Sequence, residues 1–530
     1  MKQNFFSKLW IFPVIFCLSA RVDTPPARAA KYLHFKYGAA TLSVDIQDLE
    51  TFATTGTAED ELGLYLNLFN PRYRSLLRSF LSNRYDMDAV QIDRIFIAQA
   101  GRSLFDNAGE IIRSDRGENG AEAMHEALVE AASSSEGLTP INVLEQFPTD
   151  ILIDIDRILE VRQKLIGLIE ETRTWVENLK LKTSREAESQ PTQNFDRLPD
   201  LREPGAFEVS KQTLEFFDHS RDRQLLIDLY LPRQQQIQPV PLIVISNGIG
   251  AGRYRFSDLA EHLASHNFAV AIADHPGSNK QRQRDFFAGI HSDNFEPREF
   301  VDRPLDITFI LDRLEQENNG QLYRQIDVEN TGIFGYSFGG ATALSLAGAE
   351  INFTQLEQDC TPENKKFNIS LLYQCRALEL PRKNAQLKDD RIRAIFLFVP
   401  FGKSVFGRQG MEGVEIPVFW QATDEDILTP LVLEQIPGFA QLTTPTKYLA
   451  VGTGIPHTRV TFELLNRWMN QDVTWEDLKE LSEGYHNTFG TAFFKAYLNQ
   501  DQQYLAYLNA NYARQLGDRN YPITFVRSLP

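Results

Sequence analysis

The chain has 530 residues, too many for one compact core, so two or three domains are expected. Apolar residues make up 42% and aromatic residues 11%, the composition of a folded chain rather than a disordered one. A formal net charge of −17 argues against nucleic acid and anionic lipid heads as partners, since both need clustered Lys and Arg, and leaves neutral or cationic substrates.

Lys2 and Lys8 open the chain, the apolar run Leu9 to Ala20 follows, and Pro25-Pro26-Ala27-Arg28-Ala29-Ala30 comes next. A basic start, a short apolar stretch and an A-x-A site predict a secretory signal peptide over residues 1–30, cut after Ala29 or Ala30. The apolar run is shorter than the roughly 20 residues a spanning helix requires. An exported protein, periplasmic or extracellular, without a stable membrane span after cleavage is therefore expected. Of the three cysteines, Cys17 falls in this leader. The remaining pair, Cys360 and Cys375, predicts a disulfide in an oxidising compartment. No His/Cys cluster has metal-ligand spacing, and no dinucleotide fingerprint is present, so neither a metal nor an organic cofactor is expected.

Residues 31–182 begin with alternation (Tyr32, His34, Tyr37; Leu42, Val44, Ile46) and then turn helical. Leu62, Tyr65 and Leu66 share a face, as do Ile92, Ile95 and Phe96, and Ile155, Ile158, Leu159, Arg162, Leu165, Ile166 and Ile169 extend the pattern. A small, mainly α-helical domain is predicted, in which His125 is an ordinary helix position. Residues 183–204 are polar with Pro191, Pro199 and Pro204, the composition of a linker.

From Phe207 the period changes to two. Glu208 to Phe217 and Gln224 to Leu231 flank a hairpin turn, after which strand-like and helix-like segments alternate. Apolar runs at Leu242 to Ser246, Phe268 to Ala273, Thr331 to Phe334, Ile392 to Val399, Val418 to Ala422 and Tyr448 to Val451 predict a mostly parallel sheet covered by helices on both faces. The domain is read over residues 205–468, with a polar, cap-like insertion at 350–390 that carries both cysteines. Residues 469–530 return to helix, with Leu478, Leu481, Tyr485, Phe489, Phe493 and Phe494 as a docking stripe.

Gly335-Tyr336-Ser337-Phe338-Gly339-Gly340 follows one of these strands and precedes a small-residue helix. In this G-x-S-x-G context a sharp strand-to-helix turn exposes the serine, so Ser337 is the candidate nucleophile. Its acid is expected after the next strand but one, where Asp424-Glu425-Asp426 lies; Asp426 is preferred, with Asp424 as the alternative. The base is expected after the last parallel strand, where Gly452-Thr453-Gly454-Ile455-Pro456 leads to His457; His486 is a remote alternative. Oxyanion donors are expected from the N–H of Phe338 and from Ile249 or Gly248 in the loop Asn247-Gly248-Ile249-Gly250-Ala251-Gly252.

With these motifs the sequence from about Phe207 to Arg467 resembles the α/β-hydrolase superfamily, in particular its dienelactone-hydrolase-like and platelet-activating-factor-acetylhydrolase-like branch. Asp274-His275-Pro276-Gly277-Ser278 and Asp302-Arg303-Pro304-Leu305-Asp306-Ile307-Thr308 add to the resemblance. Residues 31–182 resemble a helical module that precedes the hydrolase domain in exported bacterial proteins. The resemblance implies an ester-cleaving enzyme with Ser337, Asp426 and His457 as triad, acting on a small-molecule or lipid ester. A short-chain phospholipid acyl hydrolase and a non-catalytic scaffold on the same fold are the rival readings. Two departures stand out. Dienelactone hydrolases carry Cys where this chain has Ser337, and an oxyanion loop that often begins His-Gly begins here with Asn247-Gly248.

Overall fold

A computed structural model describes residues 29–530 except 59, 68–69, 191–194, 237, 319–324, 384, 460 and 464–473. Residues 1–28 of the expected signal peptide lie outside these. Among the described residues no helix is long and apolar enough to cross a membrane.

The N-terminal module is largely helical, as its periodicity predicts, but its helices surround a small mixed sheet. β1 (Tyr32–Tyr37) and β2 (Ala40–Asp45) form the hairpin that the opening alternation foreshadows. β3 (Ile112–Ser114) and β4 (Ile151–Asp154) complete the order β2-β1-β4-β3. Strands of three and four residues are too short to leave a period in the sequence.

One helix, Ile155–Ser189, then runs for 35 residues. It continues through 183–189, which composition assigned to the linker. Burial of Thr183 and Ala187 explains the difference: Thr183 Oγ1 donates to the Phe525 carbonyl and accepts from the Phe525 N–H. Tertiary packing here overrides polar composition.

The second sheet has nine strands. β5 (Val209–Asp218) and β6 (Arg223–Pro232) are an antiparallel hairpin. β7 (Val240–Ser246), β8 (Ala269–Ala273), β9 (Ile326–Tyr336), β10 (Ile392–Phe398), β11 (Val418–Thr423) and β12 (Lys447–Gly452) are parallel to one another. The order is β13-β12-β11-β10-β9-β7-β8-β6-β5, in which β13 (Ile523–Val526) closes the edge antiparallel to β12. Among the described residues the predicted helical C-terminal extension contains the helices Trp475–Tyr497 and Ala510–Leu516 and adds this one short strand.

The central strands are buried on both sides, hence their unbroken apolar runs. One face packs Ile307, Ile310, Leu311, Leu314, Leu344 and Val405. The other packs Leu259, Leu263, Tyr485, Phe489, Phe493 and Phe494, the last four from the predicted C-terminal stripe. Because β7 lies between β8 and β9, the chain leaves β7 in one direction and returns on its other side. A crevice opens at such a switch point, at the carboxyl ends of the strands.

The insertion between the helix Phe338–Leu346 and β10 folds into three short helices, Phe353–Asp359, Pro362–Phe367 and Ser370–Gln374. Cys360 and Cys375 are disulfide-bonded across it, with 5.6 Å between their Cα atoms. Beneath the bridge, buried Glu434 accepts from Gly402 N and Lys403 N at 2.9 Å each and from Gln374 Nε2 at 2.9 Å, joining the insertion to the loop after β10. On its outer side Lys366 Nζ meets Glu110 Oε2 of the N-terminal module at 2.8 Å. A sequence separation of 15 between the cysteines gives a loop-closure stabilisation of about 3 kcal/mol. Replacing both cysteines by Ser is expected to lower the unfolding free energy by about that amount and so shift the chemical denaturation midpoint down; an unchanged midpoint would contradict it.

Candidate active site

The candidate site is built from the carboxyl ends of β7, β9, β11 and β12. At the end of β9, Ser337 has φ 53° and ψ −114°, a conformation rare for a residue with a side chain. Its glycine neighbours make that turn possible. A Cβ at Gly335 would stand 2.4 Å from the Gly339 carbonyl oxygen, one at Gly339 1.8 Å from the Ser246 oxygen, and one at Gly340 2.3 Å from Pro400 Cβ. The Ser337 N–H donates to the Phe398 carbonyl at 3.0 Å, fixing the elbow to β10. Ser337 is half-exposed, and although it sits at the N-cap position its side chain makes no capping hydrogen bond.

The loop after β7 lies beside it. A Cβ on Gly248 would be 3.1 Å from the Tyr336 ring and 3.2 Å from Ser337 Cβ, so the backbone of this loop passes close beside the serine. Gly250 has φ 70°, and its N–H donates to the Ser278 carbonyl at 2.8 Å. Phe338, the first residue of the following helix, buries its ring against Phe295, Phe300 and Phe401. The elements carrying all three expected oxyanion residues, Gly248, Ile249 and Phe338, therefore meet around Ser337.

The acid loop separates the two carboxylates clearly. Asp426 Oδ1 accepts from the N–H groups of Leu428 and Thr429 at 2.8 Å each. Its Oδ2 lies 2.5 Å from Thr429 Oγ1 and 2.6 Å from His457 Nδ1. Burial alone would push this carboxyl up; the His457 ring and the Thr429 donors outweigh it and hold it below the ordinary carboxylate range. Asp424 takes another task. Its Oδ1 accepts from Gly454 N at 2.7 Å, pinning the turn that leads to His457, and burial pushes its carboxyl up.

His457 follows β12 and is 3% exposed. With Nδ1 on Asp426, its other ring nitrogen, Nε2, is the one left for a reacting group. Tyr336, next to the serine, donates its phenol hydrogen to the His457 carbonyl at 3.2 Å, and the two ring centroids are 5.4 Å apart. Tyr336 and Thr429 are site residues that sequence reasoning missed. Tyr336 occupies the variable x of the elbow motif, and Thr429 is one hydroxyl in a polar loop. Neither position carries a pattern.

His486 stays apart. Its Nδ1 faces Gln421 Oε1 at 3.2 Å and its Nε2 faces Ser482 Oγ at 3.1 Å, beneath the Phe398 ring. Burial lowers it to about 3, and burial lowers His262 to about 3 as well. Since the unfolded chain binds these protons first, near pH 6.5, each histidine's stability term is complete above that pH and is lost as pH falls toward 3. The slope is about 1.4 kcal/mol per pH unit for each histidine. Thermal melts at pH 7 and pH 5 are expected to differ more for the wild type than for His486→Gln. Equal differences would show that His486 binds a proton in the folded state.

His125, in the N-terminal module, stacks on Phe96 with centroids 3.9 Å apart. A cavity of about 50 Å³ is lined by His457, Phe398, Ile455 and Trp475. A larger one, about 470 Å³, lies between the helix Ile155–Ser189 and the insertion, against Leu168, Phe367, Leu371 and Leu433.

No curated protein matches the chain. Residues 29–154 match the model of a family described as alpha/beta hydrolase of unknown function (DUF1400). The matched stretch is the N-terminal module, while Ser337, Asp426 and His457 lie beyond it. The match and the nine-stranded sheet, with its strand order and sharp elbow, together support the α/β-hydrolase superfamily.

Proposed function

We propose that the protein is a serine hydrolase of carboxylic esters, with Ser337 as nucleophile, His457 as base and Asp426 as the acid that orients the imidazole. The observation that carries this is the 2.6 Å contact between His457 Nδ1 and Asp426 Oδ2 beside an elbow that holds Ser337 at φ 53°. In the proposed cycle His457 Nε2 takes the hydroxyl proton as Ser337 attacks the ester carbonyl. The N–H groups of Phe338 and of Ile249 or Gly248 receive the negative charge of the tetrahedral intermediate. His457 then protonates the departing alcohol, and water repeats the sequence on the acyl-enzyme. Protonated His457 cannot act as base.

A disulfide-bonded insertion and the leader-like start of the sequence support export. The cavity beside the insertion sets Leu168, Phe367, Leu371 and Leu433 among Lys164, Glu171, Asp359, Glu363 and Lys403, and Ser337, Asp426 and His457 are not in its lining, so it carries no acyl-chain preference. A second, narrower reading, carried by the sequence resemblance alone, is an acyl hydrolase of the platelet-activating-factor-acetylhydrolase type. Nitrophenyl esters of two to sixteen carbons test both. Hydrolysis of any member supports the esterase, a preference for two to four carbons the narrower reading, and no hydrolysis across the series contradicts both.

A further inference from the structure

One helix, Glu299–Asn318, reaches the loop after β7 from behind with two almost fully buried residues, Glu299 and Arg303. Arg303 Nη2 donates to the Asn247 carbonyl and lies 3.3 Å from Ser246 Oγ. Its guanidinium stacks 4.6 Å above the Phe338 ring. Arg303 Nε and Nη1 are buried with no hydrogen-bond partner among the described residues, so the hydrogen bonds of this cation end on residues 246 and 247. Glu299 Oε2 accepts from Ser278 Oγ at 2.6 Å, and the Ser278 carbonyl accepts from Gly250 N at 2.8 Å. The Gly248–Ile249 segment is thus held at both ends by the same helix.

Behind it lies a second string of the same three residue types. Ser246 Oγ is 3.0 Å from His275 Nε2, and His275 Nδ1 is 3.0 Å from Asp306 Oδ2. Ser246 is 0% exposed, so it is no second nucleophile. Burial, with the charges of Arg303, Arg223 and Arg221, holds the His275 ring well below the usual histidine range and keeps it neutral. The neutral ring donates from Nδ1 to Asp306 and accepts the Ser246 hydroxyl at Nε2, while Ser246 accepts from Arg303. Arg221 Nη1 at 2.8 Å, Arg223 Nε at 2.9 Å and Arg223 Nη2 at 2.8 Å fix the Asp306 end.

We infer that Arg303, braced by Ser246, His275 and Asp306, is a positioning residue that presets the oxyanion loop, and that Glu299 fixes the loop's far end through Ser278. In a trans peptide the carbonyl and the following N–H point in opposite directions. Anchoring the Asn247 carbonyl behind the loop therefore turns the Gly248 N–H toward the Ser337 side. The inference rests on the serine-hydrolase reading for its kinetic consequence but not for its structural one.

The test combines kinetics with hydrogen exchange in Arg303→Met, Arg303→Lys and Ser278→Ala, with Glu412→Gln as surface control. Arg303→Met is expected to lower kcat by about 10²–10³-fold, as for loss of one oxyanion donor. KM and the acid limb of the pH profile stay unchanged, inhibition by a trifluoromethyl ketone weakens in step with kcat/KM, and amides 247–252 exchange faster. Arg303→Lys, which keeps the charge, regains part of both. Should Arg303→Met fail to fold, Ser278→Ala decides, with kcat lowered about tenfold, the worth of one hydrogen bond. Unchanged exchange of the loop amides overturns the inference whatever the kinetics. Faster exchange in a wild-type-inactive protein keeps the anchoring and refutes the esterase instead.

Discussion

Ser337→Ala is expected to lower kcat for nitrophenyl ester hydrolysis by about 10⁴–10⁶-fold, the range for removing the nucleophile of a serine triad. Stability should change little or rise. The alanine side chain keeps the same backbone at φ 53° and gives up no capping hydrogen bond, because the serine makes none. Equal melting temperatures with lost turnover would separate chemistry from folding. Retained turnover in a clean Ser337→Ala preparation would remove the elbow from the mechanism.

The second large effect distinguishes two neighbouring carboxylates. Asp426→Asn keeps the size of the side chain but presents an amide to His457 Nδ1 at 2.6 Å and to Thr429. The imidazole then loses the partner that fixes its tautomer and stabilises its charge, and kcat is expected to fall by about 10⁴-fold. Asp424→Asn should cost far less, because its Oδ1 accepts from Gly454 N in the turn before His457 and the amide oxygen can still accept there. A reversed ranking, with Asp424→Asn the more damaging, would transfer the acid role to position 424.

The strands of the large sheet were legible because burial on both faces leaves runs such as Leu242 to Ser246 and Ile392 to Phe398 without a polar interruption. Ser337, Asp426 and His457 could be named as candidates because each follows an apolar strand in the order the fold requires. The choice between Asp424 and Asp426 turned on loop curvature over a few residues, which composition does not encode. β13 was not legible: four residues at the chain end pair with Leu449–Gly452 only in three dimensions. The same holds for Arg303, whose carbonyl partner, Asn247, is 56 positions away in sequence. The last turns of the helix Ile155–Ser189 read as linker because their one buried face, Thr183 and Ala187, is small and partly polar.

The most direct measurement is covalent labelling by a fluorophosphonate followed by mass spectrometry of the digested protein. One phosphonyl group per chain on the peptide carrying Ser337, lost in Ser337→Ala and slowed in His457→Ala, is the expected result. Labelling elsewhere, or an unlabelled folded protein, would contradict a serine nucleophile activated at the carboxyl ends of β9, β11 and β12.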